Sequence, residues 1–162
     1  MTMNHETSSV TGAQLLVASL RAHGADHVFC VPGESYLAVL DALYDEREHI
    51  RVVACRQEGG AANMAEAHGK LTGRPGICMV TRGPGATNAS IGVHTAFQDS
   101  TPMILFIGQV EREFAGREAF QELLGGDHPR CAIHIKAGGD IWRRYPWMDI
   151  EEIRQEVQTN FP

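Results

Sequence analysis

Short apolar runs alternate along the chain with longer segments that carry apolar or small residues at helical spacing. The apolar runs read VFCV, IRVVAC, GICMVT and PMILFIG. Each run is short, continuous and bounded by turn residues, which is typical of strands inside a parallel sheet. Strands that alternate with helices of this length predict βαβ units. The pattern therefore predicts an α/β fold with three layers, a mainly parallel sheet with helices on both faces.

Several of the predicted helices carry recognisable end signals. Thr11 and Gln14 have the spacing of a capping box, and Gly24 is a good C-terminal stop for the same helix. Pro84 is compatible with the first turn of a later helix. These signals predict where helices begin and end along the first part of the chain.

The alternating pattern weakens after Gln109, and the composition changes beyond residue 122. Both tryptophans lie in this last part, where no strand–helix repeat is visible. The segment DIEEIRQEV has the pattern of a short amphipathic helix. We therefore expect a flexible N-terminus over residues 1–10, one domain over 11–122, and a divergent tail over 123–162 that is partly disordered or a short helix.

Composition and charge exclude several classes of function. The 162 residues are 43% hydrophobic and 21% charged, with a formal net charge of -6 and no basic cluster. Such a charge argues against binding to nucleic acid or to an anionic membrane surface. No apolar run approaches the roughly 18 residues of a membrane span. The polar N-terminus lacks the apolar core of a signal peptide, so we expect a cytoplasmic protein.

Cysteine and histidine spacing gives no indication of a metal site. The chain has four cysteines, and Cys30, Cys55 and Cys78 lie in or at the ends of apolar runs. We expect buried free thiols in a reducing compartment. His23 and His27 are four residues apart, but a glycine between them interrupts any helix that would align them. No metal ligand is predicted.

Three loops are candidates for chemistry because parallel sheets bind ligands beyond the C-terminal ends of their strands. They read VPGES, CRQEGG and TRGPGATN. The third loop is close to a dinucleotide fingerprint, but Asn88 stands where a third glycine is required. Its glycines fit either a nucleotide-binding site or a structural turn that allows a strand and a helix to pack together and binds no ligand.

Glu58, in the second loop, is the most informative candidate. An acid in the first turn of a helix is common because of the helix dipole. However, Glu58 follows an apolar run predicted to be a buried strand, and it is flanked by glycine and alanine, so something must approach the backbone closely. A carboxyl group in such a crevice is suited to exchanging protons near neutral pH. We therefore expect a ligand site at Glu58.

Longer motifs resemble a known family. The segments VFCVPGE, CRQEGGAANMAEAHGKLTG, GICMVTRGPGATNASIGVHTAFQDSTPMILFIGQV and EAFQE are similar to the N-terminal, pyrimidine-binding domain of thiamine-diphosphate-dependent enzymes. The branch they most resemble is the acetolactate synthase large subunit, which acts in branched-chain amino acid biosynthesis. The resemblance runs from about Thr11 to Glu122. It is specific for the superfamily and less so for the reaction, because pyruvate oxidases, glyoxylate carboligases and benzaldehyde lyases share much of it.

The resemblance implies two catalytic residues. Glu58 matches the family glutamate that hydrogen-bonds N1′ of the cofactor's aminopyrimidine and thereby promotes removal of the thiazolium C2 proton. Gln121 matches a position near the cofactor and substrate in acetolactate synthases. The implied chemistry is decarboxylation or carboligation of a 2-oxo acid.

The resemblance also implies which residues bind the cofactor. Pro84 and Asn88 match the turn that contacts the pyrimidine, beside Glu58, and Gly33 and Glu34 match the loop that lines the reaction side. The cofactor is thiamine diphosphate, of which this domain holds the pyrimidine half only.

The resemblance finally implies what must be supplied from elsewhere. In the family this domain faces a diphosphate-binding domain of a second chain, so we expect a homodimer or a separate diphosphate-domain subunit. Mg²⁺ and FAD would require domains that this sequence does not contain. We therefore expect a domain that is inactive alone. The alternatives are the small subunit of a two-subunit 2-oxo acid decarboxylase and a truncated, non-catalytic remnant that only dimerises.

Overall fold

The computed structural model describes residues 10–114, 117, 119–122 and 134–136. Strands and helices alternate over most of this length, as the hydrophobic pattern predicts. In chain order the main elements are α1 (Gly12–Ala22), β1 (His27–Cys30), α2 (Leu37–Asp45), β2 (Arg51–Ala54), α3 (Glu58–Thr72), β3 (Gly76–Val80), α4 (Pro84–Asp99), β4 (Met103–Ile107) and β5 (His134–Lys136). Short 3-10 turns cover Glu34–Tyr36 and Arg112–Phe114.

The strands form one sheet in the order β2-β1-β3-β4-β5. β1 to β4 pair in parallel, and β5 pairs antiparallel with β4. Two apolar clusters lie on opposite faces of this sheet, one against α1 and α2 and the other against α3 and α4. The predicted three-layer α/β fold is confirmed.

Local signals account for where the helices start. The side chain of Thr11 accepts a hydrogen bond from the backbone N–H of Gln14, whose side chain in turn accepts from the backbone of Thr11. The predicted capping box is therefore present. Pro84 is the first residue of α4, where its missing N–H costs no helical hydrogen bond.

β2 differs from its sequence-based prediction, because the strand that precedes Glu58 is not buried. It lies at the edge of the sheet, with Arg51, Val52 and Ala54 exposed and Val53 half-buried. By contrast, all five residues of β3 are buried. An apolar run of this length indicates a strand, but the position of that strand in the sheet decides whether both of its faces are covered.

The tail contains an element that the pattern did not predict. β5 falls within residues 123–162 and adds a short antiparallel strand to β4. The segment DIEEIRQEV lies outside the described residues, as do residues 1–9. Within the part of the chain that the structure describes, no helix is long and apolar enough to cross a bilayer.

The described cysteines agree with their predicted state in most respects. Cys30 and Cys78 are buried free thiols, whereas Cys55 is free and only half-buried at the end of β2. Cys131 lies outside the described residues. The two buried thiols lie in the middle of the sheet, on β1 and β3.

Candidate functional site

The strand order creates a crevice between the C-terminal ends of β1 and β3. From β1 the chain moves to β2 on one side, and from β3 it moves to β4 on the other, so the loops after β1 and β3 diverge. The hydroxyl oxygens of Ser35 and Thr81 lie 2.7 Å apart and join the bases of these two loops. A Cβ on Gly33 would lie only 2.9 Å from that of Thr81, so the first loop fits here because residue 33 is glycine.

Glu58 and Asn88 meet at the same edge of the sheet. Glu58 is the first residue of α3, and the side chain of Gln57 caps this helix by accepting from the backbone N–H of Gly60 at 2.9 Å. Nδ2 of Asn88, in the first turns of α4, donates to Oε2 of Glu58 at 3.0 Å. The N-termini of two neighbouring helices therefore hold a half-buried carboxylate and fix its orientation.

Small residues let α3 and α4 approach closely enough for this contact. A Cβ on Gly92 would lie 2.5 Å from Cβ of Ala62, and one on Gly59 would lie 3.2 Å from the carbonyl oxygen of Asn88. The sequence pattern attributed the small residues beside Glu58 to a ligand near the backbone. In the structure it is α4 that comes close to Gly59, while a Cβ on Gly60 would meet nothing within 4 Å.

Gly85, at the start of α4, lies close to both the carboxylate and Thr81. A Cβ there would lie 3.6 Å from Oε1 of Glu58 and 2.8 Å from Cγ2 of Thr81. Among the described residues, Oε1 of Glu58 accepts no hydrogen bond, whereas Oε2 is bonded to Asn88. A side chain at residue 85 would overlap Thr81, so α4 can begin this close to the end of β3 because residue 85 is glycine.

Arg82 connects the loop that contains Glu34 to the segment around Phe120 and Gln121. Its side chain is only 11% exposed, and it donates to Oε1 of Glu34 and to the carbonyl oxygen of Phe120, both at 2.9 Å. Gly83, with φ of +55°, lies directly against the backbone of Gln121, where a Cβ would overlap the carbonyl oxygen. The segment around Gln121 is therefore held against the turn that begins α4.

The side chains beneath the crevice are buried. Burial raises the pKa of Tyr36, and the neighbouring Cys30, Cys78 and Glu58 raise it further. The hydroxyl of Tyr36 donates to the carbonyl oxygen of Val31, and the carbonyl oxygen of Met79 lies 3.3 Å away. Burial also raises the pKa of Cys78 to about 12, so this thiol stays neutral below the site.

The structure brings the sequence-predicted residues together in two groups. Glu58 and Asn88 are in direct contact, whereas Glu34 and Gln121 are gathered through Arg82 and Gly83. Of the other two predicted residues, Gly33 lies in the loop after β1 and Pro84 is the first residue of α4, directly after the loop that follows β3.

Sequence reasoning missed Thr81, which lies between Gly33 and Gly85, and Arg82, which ties three segments together. Their position directly after a fully buried strand is the signal that could have identified them, since strand ends face the ligand side of a parallel sheet.

Comparison with known proteins identifies the domain. Residues 10–129 match the family described as thiamine pyrophosphate enzyme, N-terminal TPP binding domain. The chain is 44% identical over 116 residues to an acetolactate synthase of Arthrospira platensis, covering 70% of this chain and 20% of that protein. It is 45% identical over 115 residues to the acetolactate synthase isozyme 2 large subunit of Escherichia coli K12, again covering 70% and 20%.

A third relative extends the similarity further along the chain. The acetolactate synthase large subunit of Haemophilus influenzae is 43% identical over 138 residues, which is 82% of this chain and 24% of that protein. An alignment of this extent runs past residue 122. The chain thus spans about a fifth to a quarter of the length of the curated relatives it matches.

Proposed function

The chain belongs to the thiamine pyrophosphate enzyme family, as its N-terminal cofactor-binding domain, and from that premise we propose that it supplies the aminopyrimidine-activating half of a thiamine-diphosphate site. The reaction is decarboxylation or carboligation of a small 2-oxo acid such as pyruvate, as in an acetolactate synthase. The other half comes from a diphosphate-binding domain, on a second copy in a homodimer or on a separate subunit. That domain brings the Mg²⁺, and any FAD belongs to a further domain.

The observation that carries this proposal is the position of the Glu58 carboxylate. It lies at the ligand-binding edge of a parallel sheet, with Oε2 held by Asn88 and with no hydrogen bond to Oε1 among the described residues. A carboxylate that serves only to cap its own helix would not need a side chain from a second helix to orient it. The arrangement supports a carboxylate that exchanges a proton with a bound ligand.

The residues present fit the pyrimidine half of thiamine diphosphate. When bound, the cofactor supplies an electron sink for decarboxylation of a 2-oxo acid. Glu58 holds or releases a proton towards the ring nitrogen N1′, and Asn88 keeps the carboxylate in that orientation. Gly85 places no side chain beside Oε1 of Glu58, and Pro84 next to it is exposed.

The loop that contains Gly33 and Glu34 and the segment around Gln121 have different roles in this proposal. Gly33 and Glu34 line the side on which the substrate reacts, and the Arg82–Glu34 ion pair fixes that loop. Gln121, held next to Gly83, presents an amide near cofactor and substrate. Gly83 contacts Gln121, and the adjacent Arg82 pairs with Glu34. A movement of the segment around Gln121 would therefore also disturb the loop that contains Glu34.

The test is reconstitution with a partner. The chain is mixed with a candidate diphosphate-domain protein, thiamine diphosphate and Mg²⁺, and pyruvate consumption is measured. Glu58→Gln keeps the size of the side chain but cannot exchange a proton, so activity should fall by about a hundredfold or more. Glu48→Gln makes the same change at an exposed position outside the site and should leave activity unchanged.

Two outcomes would contradict the proposal in different ways. If Glu58→Gln retains activity within about tenfold of the parent chain, the role of Glu58 as proton carrier is wrong. If calorimetry detects no thiamine diphosphate binding with any partner, a non-catalytic domain that only dimerises becomes the better description.

A further inference from the structure

A second cluster of ionisable side chains lies where the parallel strands begin, at the edge of the sheet opposite Glu58. Asp26 precedes β1, His27 is the first residue of β1, and His68 lies near the C-terminal end of α3. His68 is 41 positions from His27 in the sequence, so no short spacing motif reveals the pair. Among the described residues, these three form the group of His, Cys, Asp or Glu side chains close enough together to hold a metal ion.

The three side chains have the spacing of metal ligands. Oδ1 of Asp26 lies 3.0 Å from Nδ1 of His27 and 3.5 Å from Nε2 of His68, and all three ligand atoms lie within 4.8 Å of one another. Ligand atoms bound about 2.0–2.1 Å from a tetrahedral metal ion lie about 3.3 Å apart. One ion would therefore reach all three atoms after small side-chain adjustments.

Neighbouring groups hold the donors in place. Arg74 pairs with Oδ2 of Asp26 and donates to the carbonyl oxygen of Gly24 at 2.8 Å, which leaves Oδ1 for the histidines. The ring of His68 packs against that of Phe29, with centroids 5.9 Å apart, and the side chain is only 15% exposed. Such supporting contacts are what orient the ligands of a metal centre.

The cleft beside these ligands, which Arg74 also lines, leaves room for a fourth ligand. This cleft of about 60 Å³, lined by all three residues together with His23 and Ile77, is large enough for water. The C-terminal end of α3 lies here, and the negative end of a helix dipole attracts positive charge. The donor set of two imidazoles and one carboxylate suits zinc-class ions better than Mg²⁺ or Ca²⁺, which prefer oxygen ligands.

We propose that Asp26, His27 and His68 form a binding site for a zinc-class divalent transition-metal ion, with water from the cleft completing its coordination. The ion replaces the hydrogen bond between Asp26 and His27 and the contact between Asp26 and His68, and His27 then carries its proton on Nε2. Because the ligands come from β1 and α3, the ion cross-links a central strand to the helix that begins at Glu58. It acts as a structural centre at the edge opposite the proposed cofactor site.

The test is a titration of the untagged, metal-free chain with Zn²⁺ by calorimetry, repeated with Co²⁺ while its visible absorption is recorded. His68→Gln removes one ligand and keeps the size of the side chain, so Zn²⁺ affinity should fall by about tenfold or more. His94→Gln makes the same change at an exposed position on α4 and should bind Zn²⁺ as the parent chain does. The Co²⁺ absorption bands of a four-coordinate site should be lost in His68→Gln only.

A second variant keeps the test decisive if His68→Gln does not fold. His27→Gln, checked by circular dichroism, should weaken Zn²⁺ binding to a similar extent. The proposal is overturned if the parent chain shows no saturable Zn²⁺ binding, or if folded His27→Gln and His68→Gln both bind Zn²⁺ as tightly as the parent chain does. In either case the cluster is a hydrogen-bonded network that only packs β1 against α3.

Discussion

The sheet has a C-terminal edge, where its parallel strands end, and an N-terminal edge, where they begin. These two edges are organised by different kinds of contact. At the C-terminal edge, close backbone contacts at Gly83, Gly85 and Gly92 bring the loops and helices together. At the N-terminal edge, side chains pair with one another, and Asp26 contacts His27, His68 and Arg74. Glu58, by comparison, has one side-chain partner among the described residues.

This difference leaves the side chains at the two edges in different states before any ligand binds. When backbone contacts position a loop, side chains remain available for binding. When side chains pair with one another, a ligand must first replace those contacts, as the metal ion that we propose at Asp26, His27 and His68 would do. α3 joins the two edges, with Glu58 in its first turn and Lys70 in its last, so its dipole favours acid at one end and base at the other.

The largest effect is expected where two helix backbones touch. Gly92→Ala would push a Cβ against Ala62, so we expect a loss of about 3 kcal/mol in the free energy of unfolding. Gly60→Ala is the matched control, because nothing lies within 4 Å of that position and alanine favours a helix by about 0.5–1 kcal/mol. Denaturant unfolding measures both. If the two variants change stability equally, close helix packing does not organise the C-terminal edge.

A smaller effect is expected at Arg82, the main side-chain tie at the C-terminal edge. Arg82→Gln removes the bonds to Phe120 and Glu34 from a mostly buried position, so we expect a loss of about 2 kcal/mol and faster proteolysis near residues 117–122. Glu34→Gln removes only the exposed partner and should cost less than about 1 kcal/mol. Equal losses in the two variants would mean that the bond to Phe120 contributes nothing.

The smallest effect concerns the buried interior between the two edges. Burial raises the pKa of Cys78 from 9.0 to about 12, so the folded chain binds a proton there that the unfolded chain releases above pH 9. The contribution to stability is therefore full below pH 9 and is lost as the pH rises towards 12.

Between pH 9 and pH 10 the free energy of unfolding should fall by on the order of 1 kcal/mol through Cys78 alone. Cys78→Ala removes the titrating group and should reduce this alkaline loss in denaturant unfolding experiments. The same alkaline loss in both chains would show that water reaches β3 from one of the edges.

Particular residues show how far the sequence could predict the site. The apolar runs predicted the four parallel strands, and Thr11 with Gln14 predicted the first helix start, because both signals are local. The exposure of β2 and the addition of β5 depend on strand order and pairing, which no local pattern contains. Glu58 was recognisable by its place after a strand, although the small residues beside it serve a different purpose from the one predicted.

The sequence by itself determined the α/β class, the helix boundaries and the family, since these depend on local periodicity and on motifs read in order. Only the tertiary structure decided that Asn88 orients Glu58, that Arg82 connects Glu34 to Phe120, and that His68 meets His27 and Asp26. These contacts join residues that lie on different elements of the fold, some of them more than 30 positions apart. The physical reason is that strand order and helix packing, rather than distance along the chain, determine which side chains meet.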